Sequence, residues 1–221
     1  MQEVNNCKNK FNTIQALLFD WDGVFHDGYK NSKGESSFSE ADSMGMNLIR
    51  LAYYLKDGKI PYTAIVTGEN NLTAFHLANR EHFNAVFYKI KDKAIIKSHL
   101  ETTENINASE TLFVFDDVLD LSFAREVGIR FMVTRNASSI LKEWAINQDL
   151  VDYATSNDGG NHAVREICEF VINELGLFDT TINTRIEYGT TYQTYLNLRQ
   201  SILTNYYTIE NKELIQVSSK K

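Results

Sequence analysis

The sequence predicts a doubly wound α/β fold, a parallel sheet with helices on both of its faces. Short apolar runs alternate with longer amphipathic stretches, and such runs are typical of strands that are buried on both sides. A strand followed by a helix, repeated several times, favours right-handed crossovers in one sheet. The predicted strands lie within 14–20, 62–68, 84–89, 111–117 and 129–134, and the predicted helices within 44–58, 70–80, 92–101, 118–127, 137–147 and 160–176.

Composition excludes several classes of protein. The 221 residues suffice for one hydrophobic core, and 43% hydrophobic with 23% charged residues is ordinary for a globular chain. A net charge of -7 argues against a nucleic-acid partner. No run approaches the roughly 20 apolar residues of a membrane span, and the first residues resemble no secretory signal. We therefore expect a cytoplasmic protein without a membrane partner, whose two cysteines, Cys7 and Cys168, are plain thiols.

Two segments depart from the alternating pattern. Residues 24–40 carry the turn-forming letters NSKG and no helical period, which favours a β-hairpin inserted directly after the first strand. After Gly176, aromatic residues recur at helical spacing and predict one amphipathic helix over 184–207 that packs on the domain or on a partner subunit. The chain then divides into a core, 1–176, and a C-terminal helical extension, 177–221.

Acidic residues follow two of the predicted strands. Asp20 and Asp22 end the first strand, whereas Asp116 and Asp117 end the fourth, with Asp120 one turn later. The ends of parallel strands face one crevice, so these carboxylates are expected to converge there. Such a cluster needs a positive partner, and Mg²⁺ prefers oxygen ligands. A simpler alternative for Asp117 is that it caps the next helix.

Two further residues belong to the same predicted edge. Thr67 follows the second strand and offers a hydroxyl, and Lys93 follows the third strand and offers a cation. Taken alone, Thr67 suits a helix cap and Lys93 a solvated surface position. Only the combination of these residues with the two acidic pairs points to chemistry.

In this order the motifs resemble those of the haloacid dehalogenase (HAD) superfamily of aspartyl phosphotransferases, which has a Rossmann-like core. The matching sequence segments are DWDGV, VTG, DKAII and FDDVLD. The chain looks most like the capless branch of 3-deoxy-D-manno-octulosonate 8-phosphate phosphatases, through FSEADSMG (38–45) and GGNHAVREICEFV (159–171). The resemblance covers residues 14–176.

The resemblance implies a phosphatase mechanism. Asp20 would be the nucleophile that forms an aspartyl-phosphate, and Asp22 would protonate the leaving group and then activate water. Thr67, Gly68 and Lys93 would bind the phosphoryl group. Mg²⁺ would be bound by Asp20, Asp116 and the main-chain carbonyl of Asp22, with Asp117 orienting the ligands. The family also implies a small phosphorylated metabolite as substrate and a homotetramer with hairpin 24–40 at the subunit interface, the alternative being a simple surface hairpin.

The departures from the family concern the residues that read the substrate. Three family arginines are replaced, by Ala41, Glu69 and Asn161, and Phe115 stands where a glycine usually precedes the acidic pair, next to the metal loop. Arginine suits bidentate recognition of a carboxylate, so the replacements weigh against a keto sugar acid. Three hypotheses stay open: a sugar-phosphate phosphatase, a phosphatase for another small phosphomonoester such as a nucleotide or a neutral sugar phosphate, and a catalytically silent interaction protein.

Overall fold

The computed structural model describes residues 10–34 and 36–218, and these form one sheet with helices on both faces. The strands lie in the order β6-β5-β4-β1-β2-β3-β7-β8. All neighbouring pairs are parallel except β7 and β8, which are antiparallel. Their bounds are β1 Ala16–Phe19, β2 Tyr62–Val66, β3 Ala85–Phe87, β4 Thr111–Phe115, β5 Ile129–Thr134, β6 Tyr153–Asp158, β7 Asn205–Glu210 and β8 Glu213–Val217.

The helices connect the strands as crossovers. The longest begins after Ser39, whose hydroxyl accepts from the Ala41 amide, and ends at Gly58 in the left-handed conformation. The other predicted helices also form, although the fourth is short. The helices are α1 Glu40–Asp57, α2 Leu72–Arg80, α3 Ile95–His99, α4 Leu121–Ala124, α5 Ser139–Asn147, α6 Ala163–Glu174, α7 Phe178–Glu187 and α8 Thr190–Gln200.

Burial on both faces explains the continuous apolar runs of the strands. Leu17 and Phe19 pack into one core layer, and Ala16 and Leu18 pack into the other, because successive side chains point to opposite faces. The five strands expected from the apolar runs are all present, so the α/β fold with a doubly wound sheet is confirmed. The strand β6 was not predicted, because most residues of its sequence YATSND are polar.

The predicted hairpin over 24–40 is wrong for the described part of that segment. Its backbone contributes only an isolated bridge between Asp22 and His26. Local hydrogen bonds replace strand pairing: the Tyr29 amide donates to the Asp27 carboxylate and the Lys33 amide donates to the Asn31 side chain, at 3.0 and 2.9 Å. Such side-chain bonds compete with strand pairing, and a two-stranded hairpin alone is marginally stable.

The single helix predicted over 184–207 is also wrong. Tyr188 adopts a left-handed conformation and ends α7, and Gly189 precedes a second helix, α8. Residues 205–217 then form the β7–β8 hairpin, whose turn residues Asn211 and Lys212 both have positive φ, as a tight hairpin turn requires. The extension is therefore helical only in its first part, and β7 adds to the central sheet beside β3. A domain division at residue 176 stays a prediction.

Two further expectations concern the cysteines and the membrane spans. Cys168 is a free, fully buried thiol, whereas Cys7 lies outside the described residues. Within 10–34 and 36–218, no helix combines the length and the apolar character needed to cross a membrane.

Candidate active site

The predicted acidic residues meet in a cleft at the carboxyl edge of the sheet. Strand β1 lies between β2 and β4, so the loops that follow these three strands are neighbours. The cleft has a volume of about 450 Å³. It is lined by Asp20, Asp22, Gly23, Gly28, Lys30, Gly68, Glu69, Ile90, Lys93, Asp116, Asp117, Val118, Leu119, Asp120 and Arg135.

Lys93 lies at the floor of the cleft between two carboxylates. Its ammonium group donates to Asp20 and to Asp120, and all three side chains are buried. Burial raises the pKa of Asp20 above its ordinary value, although the adjacent Lys93 acts in the opposite direction. Burial alone would lower the pKa of Lys93, but the two carboxylates outweigh it, so the net shift is upward. Lys93 therefore stays charged and stabilises negative charge beside Asp20.

Asp22 is held at the mouth of the cleft by polar side chains. One of its oxygens accepts from Asn71 at 2.8 Å and from the Thr67 hydroxyl at 3.5 Å. The other lies 3.2 Å from His26 Nε2 and 3.0 Å from Lys30 Nζ. Burial opposes ionisation of Asp22, but bonds from His26, Lys30 and Asn71 outweigh it and hold the pKa of Asp22 well below its ordinary range. This carboxylate is therefore oriented by fixed donors.

A second group of acids could bind a metal ion. Within the described residues, carboxylate oxygens of Asp20, Asp116 and Asp120 all lie within 4.8 Å of one another, and all three residues are buried. Oxygen donors of this kind, gathered around one point, fit Mg²⁺. The side chains of Asp22 and Asp117 do not belong to this group. Magnesium binding accordingly has a structural basis in this chain.

The acidic pair after β4 has two different environments. Asp116 is buried and contacts the guanidinium group of Arg135. Asp117 is half-exposed, accepts from the Val118 amide at 2.7 Å and lies 3.4 Å from Arg135. Asp117 therefore makes the capping contact that the simpler alternative predicted, whereas Asp116 points into the site.

The glycine after Asp22 is required by close packing. A Cβ atom on Gly23 would lie 2.0 Å from Asp116 Oδ2, and the residue has a φ of +82°. Only glycine adopts this conformation and leaves this space without strain. Gly23 thus lets the loop after β1 approach the carboxylate that follows β4.

The other predicted residues also lie at this edge. Thr67 is buried after β2 and its hydroxyl accepts from Asn71 at 3.0 Å, while Gly68 lines the cleft. Phe115 is fully buried and stacks on Phe113 with ring centroids 5.6 Å apart, so it packs into the core and does not line the cleft. The structure thus places the residues expected from the motifs at one edge of the sheet, and their catalytic and metal-binding roles stay predictions.

Asn71 and Arg135 were not identified from the sequence, and Asp120 was noted only as a neighbour. Asn71 stands four residues after Thr67 at the start of α2, and Arg135 follows the end of β5, as the other site residues follow their strands. The position after a strand end was the available signal for Arg135. Asn71 and Asp120 carried only the weaker signal of lying four residues after a predicted site residue.

The three substituted arginine positions differ in their surroundings. Glu69 is exposed and lines the cleft, whereas Ala41 and Asn161 do not. Near the latter two positions, the Ser39 hydroxyl lies 2.9 Å from His162 Nδ1. At the Glu69 position, the cleft wall therefore carries an acidic side chain where the family has an arginine.

Comparison with known proteins identifies the relatives of the chain. No family model matches it. It is 29% identical over 174 residues to the 3-deoxy-D-manno-octulosonate 8-phosphate phosphatase KdsC of Escherichia coli K12, covering 77% of this chain and 85% of that protein. It is 25% identical over 163 residues to KdsC of Yersinia pestis, covering 72% of this chain and 80% of that protein.

Solved structures give the same result. A protein of Legionella pneumophila assigned to the HAD superfamily (subfamily III A) of hydrolases superposes with a TM-score of 0.69 at 26% identity, over 84% of this chain and 97% of that one. The Moraxella catarrhalis 3-deoxy-D-manno-octulosonate 8-phosphate phosphatase, in complex with magnesium, phosphate and KDO, superposes with a TM-score of 0.66 at 26% identity, over 81% and 98%. By these relatives and solved structures, the chain is a phosphatase similar to KdsC and to hydrolases of the haloacid dehalogenase superfamily.

Proposed function

We propose that the chain hydrolyses a small sugar phosphate in a Mg²⁺-dependent reaction that passes through a phosphorylated Asp20. The observation that carries this proposal is the position of Asp20, which is buried beside Lys93 and lies in one carboxylate group with Asp116 and Asp120. A buried nucleophile beside a fixed cation is arranged for attack on a charged phosphoryl group.

The reaction divides into two displacements. In the first, an Asp20 oxygen forms a bond to phosphorus, the bond from phosphorus to the ester oxygen breaks, and Asp22 gives its proton to the leaving alkoxide. In the second, Asp22 takes a proton from water, the resulting hydroxide attacks phosphorus, and Asp20 is released with inorganic phosphate. Residues two apart in extended backbone point the same way, which suits both carboxyl groups to one phosphorus.

Asp22 must be protonated before the first step, although its pKa lies well below the ordinary range in the ligand-free cleft. Lys30 and His26 contribute to that shift, and Lys30 is partly exposed at the cleft mouth. A phosphate group entering the cleft brings negative charge that opposes their effect and favours the protonated acid. The proposal therefore requires substrate binding to raise the pKa of Asp22 before it donates.

The remaining groups stabilise charge on the phosphoryl oxygens. Mg²⁺, when bound, neutralises charge on the substrate and on the attacking carboxylate. Asp20, Asp116 and Asp120 would offer side-chain oxygens to it. The main-chain carbonyl of Asp22 would be a further ligand, and Asp117 would orient the ligands. Lys93, the Thr67 hydroxyl and the Gly68 backbone would contact the phosphoryl oxygens.

The sugar phosphate is proposed from the relatives, whose names specify 3-deoxy-D-manno-octulosonate 8-phosphate. One observation favours a second candidate, a phosphomonoester without a carboxylate. Glu69 places a carboxylate on the cleft wall, and Ala41 and Asn161 supply no guanidinium group. A substrate carboxylate near Glu69 would be repelled, whereas a neutral sugar or a nucleoside would not.

The activity is tested with p-nitrophenyl phosphate, with Mg²⁺ and with excess chelator. The wild type should turn over only with Mg²⁺, and Asp20→Asn should lose at least about 1,000-fold in kcat. Asp179→Asn removes the same charge from an exposed position on α7 and should leave kcat unchanged. Equal activity of wild type and Asp20→Asn would contradict the proposal. A panel of sugar phosphates with and without a carboxylate separates the two substrate candidates.

We also propose a homotetramer with segment 24–40 at the subunit interface. Residues 27–34 are exposed and begin directly beside the cleft, so a neighbouring subunit that covers them would also border the site. Light scattering coupled to gel filtration should give four times the mass of one chain. A monomer of full activity would contradict this arrangement.

A further inference from the structure

The positive groups of the cleft are all paired with its carboxylates. Lys93 lies between Asp20 and Asp120, and Lys30 lies on Asp22. The third cation is Arg135, on Asp116. The lining thus holds three cations against six acids, namely Asp20, Asp22, Glu69, Asp116, Asp117 and Asp120. The cluster therefore retains an excess of negative charge that a divalent ion can bind.

Arg135 differs from Lys93 in its exposure to solvent. Lys93 is fully enclosed, with a side chain only 3% exposed, whereas the side chain of Arg135 is 33% exposed. Arg135 lines both the cleft and a neighbouring cavity formed with Asp27, Tyr29 and Asp158. Its guanidinium group therefore has space beside it as well as a partner below it.

Gly23 leaves the space in which the guanidinium lies, and Gly28 borders it. A Cβ atom on Gly23 would lie 3.0 Å from Arg135 Nη2, and one on Gly28 would lie 4.0 Å from Nη1. Asp117 lies 3.4 Å from Nη2, on the outer side of the pair. Asp117 would therefore stay within reach of the guanidinium group if Arg135 left Asp116.

The Asp116 carboxylate cannot fully serve two cations at once. Its Oδ2 atom contacts Arg135, and the same residue belongs to the carboxylate group that fits Mg²⁺. Two positive charges at one carboxylate repel each other, so binding of one weakens binding of the other.

We propose that Arg135 is a movable counter-ion, which competes with the divalent ion for Asp116 and, once displaced, binds a phosphate oxygen of the substrate. This inference rests on the magnesium site of the proposed function. Arg135 should then have two opposite effects on the protein. It should lower the affinity of the cleft for Mg²⁺, and it should raise the affinity for phosphate when Mg²⁺ is present. A merely structural arginine would not produce this pair of effects.

The test is calorimetric titration of the metal-free full-length chain with Mg²⁺, for wild type, Arg135→Gln and Arg135→Lys. Arg135→Gln should bind Mg²⁺ about three- to tenfold more tightly, because the competing charge is removed. Arg135→Lys keeps the charge and should stay near the wild type. Arg185→Gln is the matched control, since this α7 residue packs over Tyr188 and Tyr192 and does not line the cleft.

A second titration uses inorganic phosphate at saturating Mg²⁺. Here Arg135→Gln should bind phosphate at least about fivefold more weakly than wild type. Thermal unfolding without ligands confirms that the variants fold. An unchanged or weaker affinity of Arg135→Gln for Mg²⁺, or an unchanged affinity for phosphate, would overturn the inference alone. A wild type that binds no Mg²⁺ would overturn the proposed function as well.

Discussion

The carboxylate of Asp120 accepts a hydrogen bond from the ammonium group of Lys93 at the floor of the cleft. The two residues come from different loops, since Lys93 follows β3 and Asp120 follows β4. Asp120 also lies near the amides of Asp116 and Asp117, with Oδ2 at 3.4 and 3.2 Å from their nitrogens. One side chain therefore fixes both the lysine and the loop that carries the acidic pair.

Asp120→Asn is expected to impair catalysis without unfolding the chain. The amide keeps the shape of the side chain, but it removes the charge that orients Lys93 and replaces one of three candidate metal carboxylates with a neutral, weaker oxygen ligand. We expect a loss of about 10- to 100-fold in kcat, with weaker Mg²⁺ binding. Steady-state kinetics and Mg²⁺ titration measure both effects, with Asp179→Asn as the charge control. Wild-type values of kcat and Mg²⁺ affinity in Asp120→Asn would show that Asp120 has no such role.

Asp22→Ala is expected to separate the two chemical steps. With p-nitrophenyl phosphate the leaving group needs little protonation, so Asp20 should still be phosphorylated, whereas activation of water should fail. Stopped-flow absorbance should show a burst of about one nitrophenol per active site, followed by slow turnover. Asp20→Asn is the control and should show no burst. A linear time course from Asp22→Ala at full occupancy would argue against the assigned water-activating role.

Gly23→Ala should damage the site far more than a glycine substitution in the same conformation elsewhere. The added Cβ would lie 2.0 Å from Asp116 Oδ2, so the loop after β1 must move away from that carboxylate. A displacement of this size is expected to lower kcat by about 100-fold. Mg²⁺ binding should weaken in parallel, which titration can measure.

Gly58→Ala is the control for this experiment. Gly58 has a φ of +70° at the end of α1, and a Cβ there would meet no atom within 4 Å. We expect a loss of about 1–2 kcal/mol in the free energy of unfolding from the left-handed backbone and no change in kcat. Equal kinetic effects of the two substitutions would mean that backbone strain, and not the contact with Asp116, controls activity.

Glu81 should make the stability of the fold depend on acid. Burial opposes its ionisation, but donors on Asn47 and Ser43, together with Arg199 and Arg80, outweigh it and lower the pKa of Glu81 below its ordinary 4.5. The stabilisation is therefore fully present above the unfolded-state pKa and disappears as pH falls through the lower folded-state pKa. Urea unfolding should show a free energy of unfolding that decreases below about pH 5.

Glu81→Gln is the test of this assignment. The amide cannot ionise, so the decrease in acid should become shallower, and at pH 7 the variant should be less stable by about 1–3 kcal/mol. Activity with saturating Mg²⁺ at pH 7 should be retained in the folded fraction, because Glu81 does not line the cleft. A variant with the same pH dependence as wild type would contradict the shift assigned to Glu81.

The sheet and most of the site residues could be predicted from the sequence for a common physical reason. Continuous apolar runs identify strands buried on both faces, and a polar residue directly after such a run must lie at the sheet edge. Asp20, Thr67 and Asp116 could be placed by this argument. The sequence pattern did not predict β6, β7 and β8, because their residues are polar or only partly buried. Segment 24–40 was also mispredicted, since local side-chain bonds replace strand pairing there.

By itself the sequence determined the parallel core, the acids that end β1 and β4, and the motif order that marks a HAD phosphatase. Only the tertiary structure decided which polar side chains meet: Lys93 with Asp120, Asn71 with Asp22, and Arg135 with Asp116. The reason is that local pattern fixes where a strand ends, whereas pairings between side chains from different loops depend on strand order and on the space that glycines such as Gly23 leave.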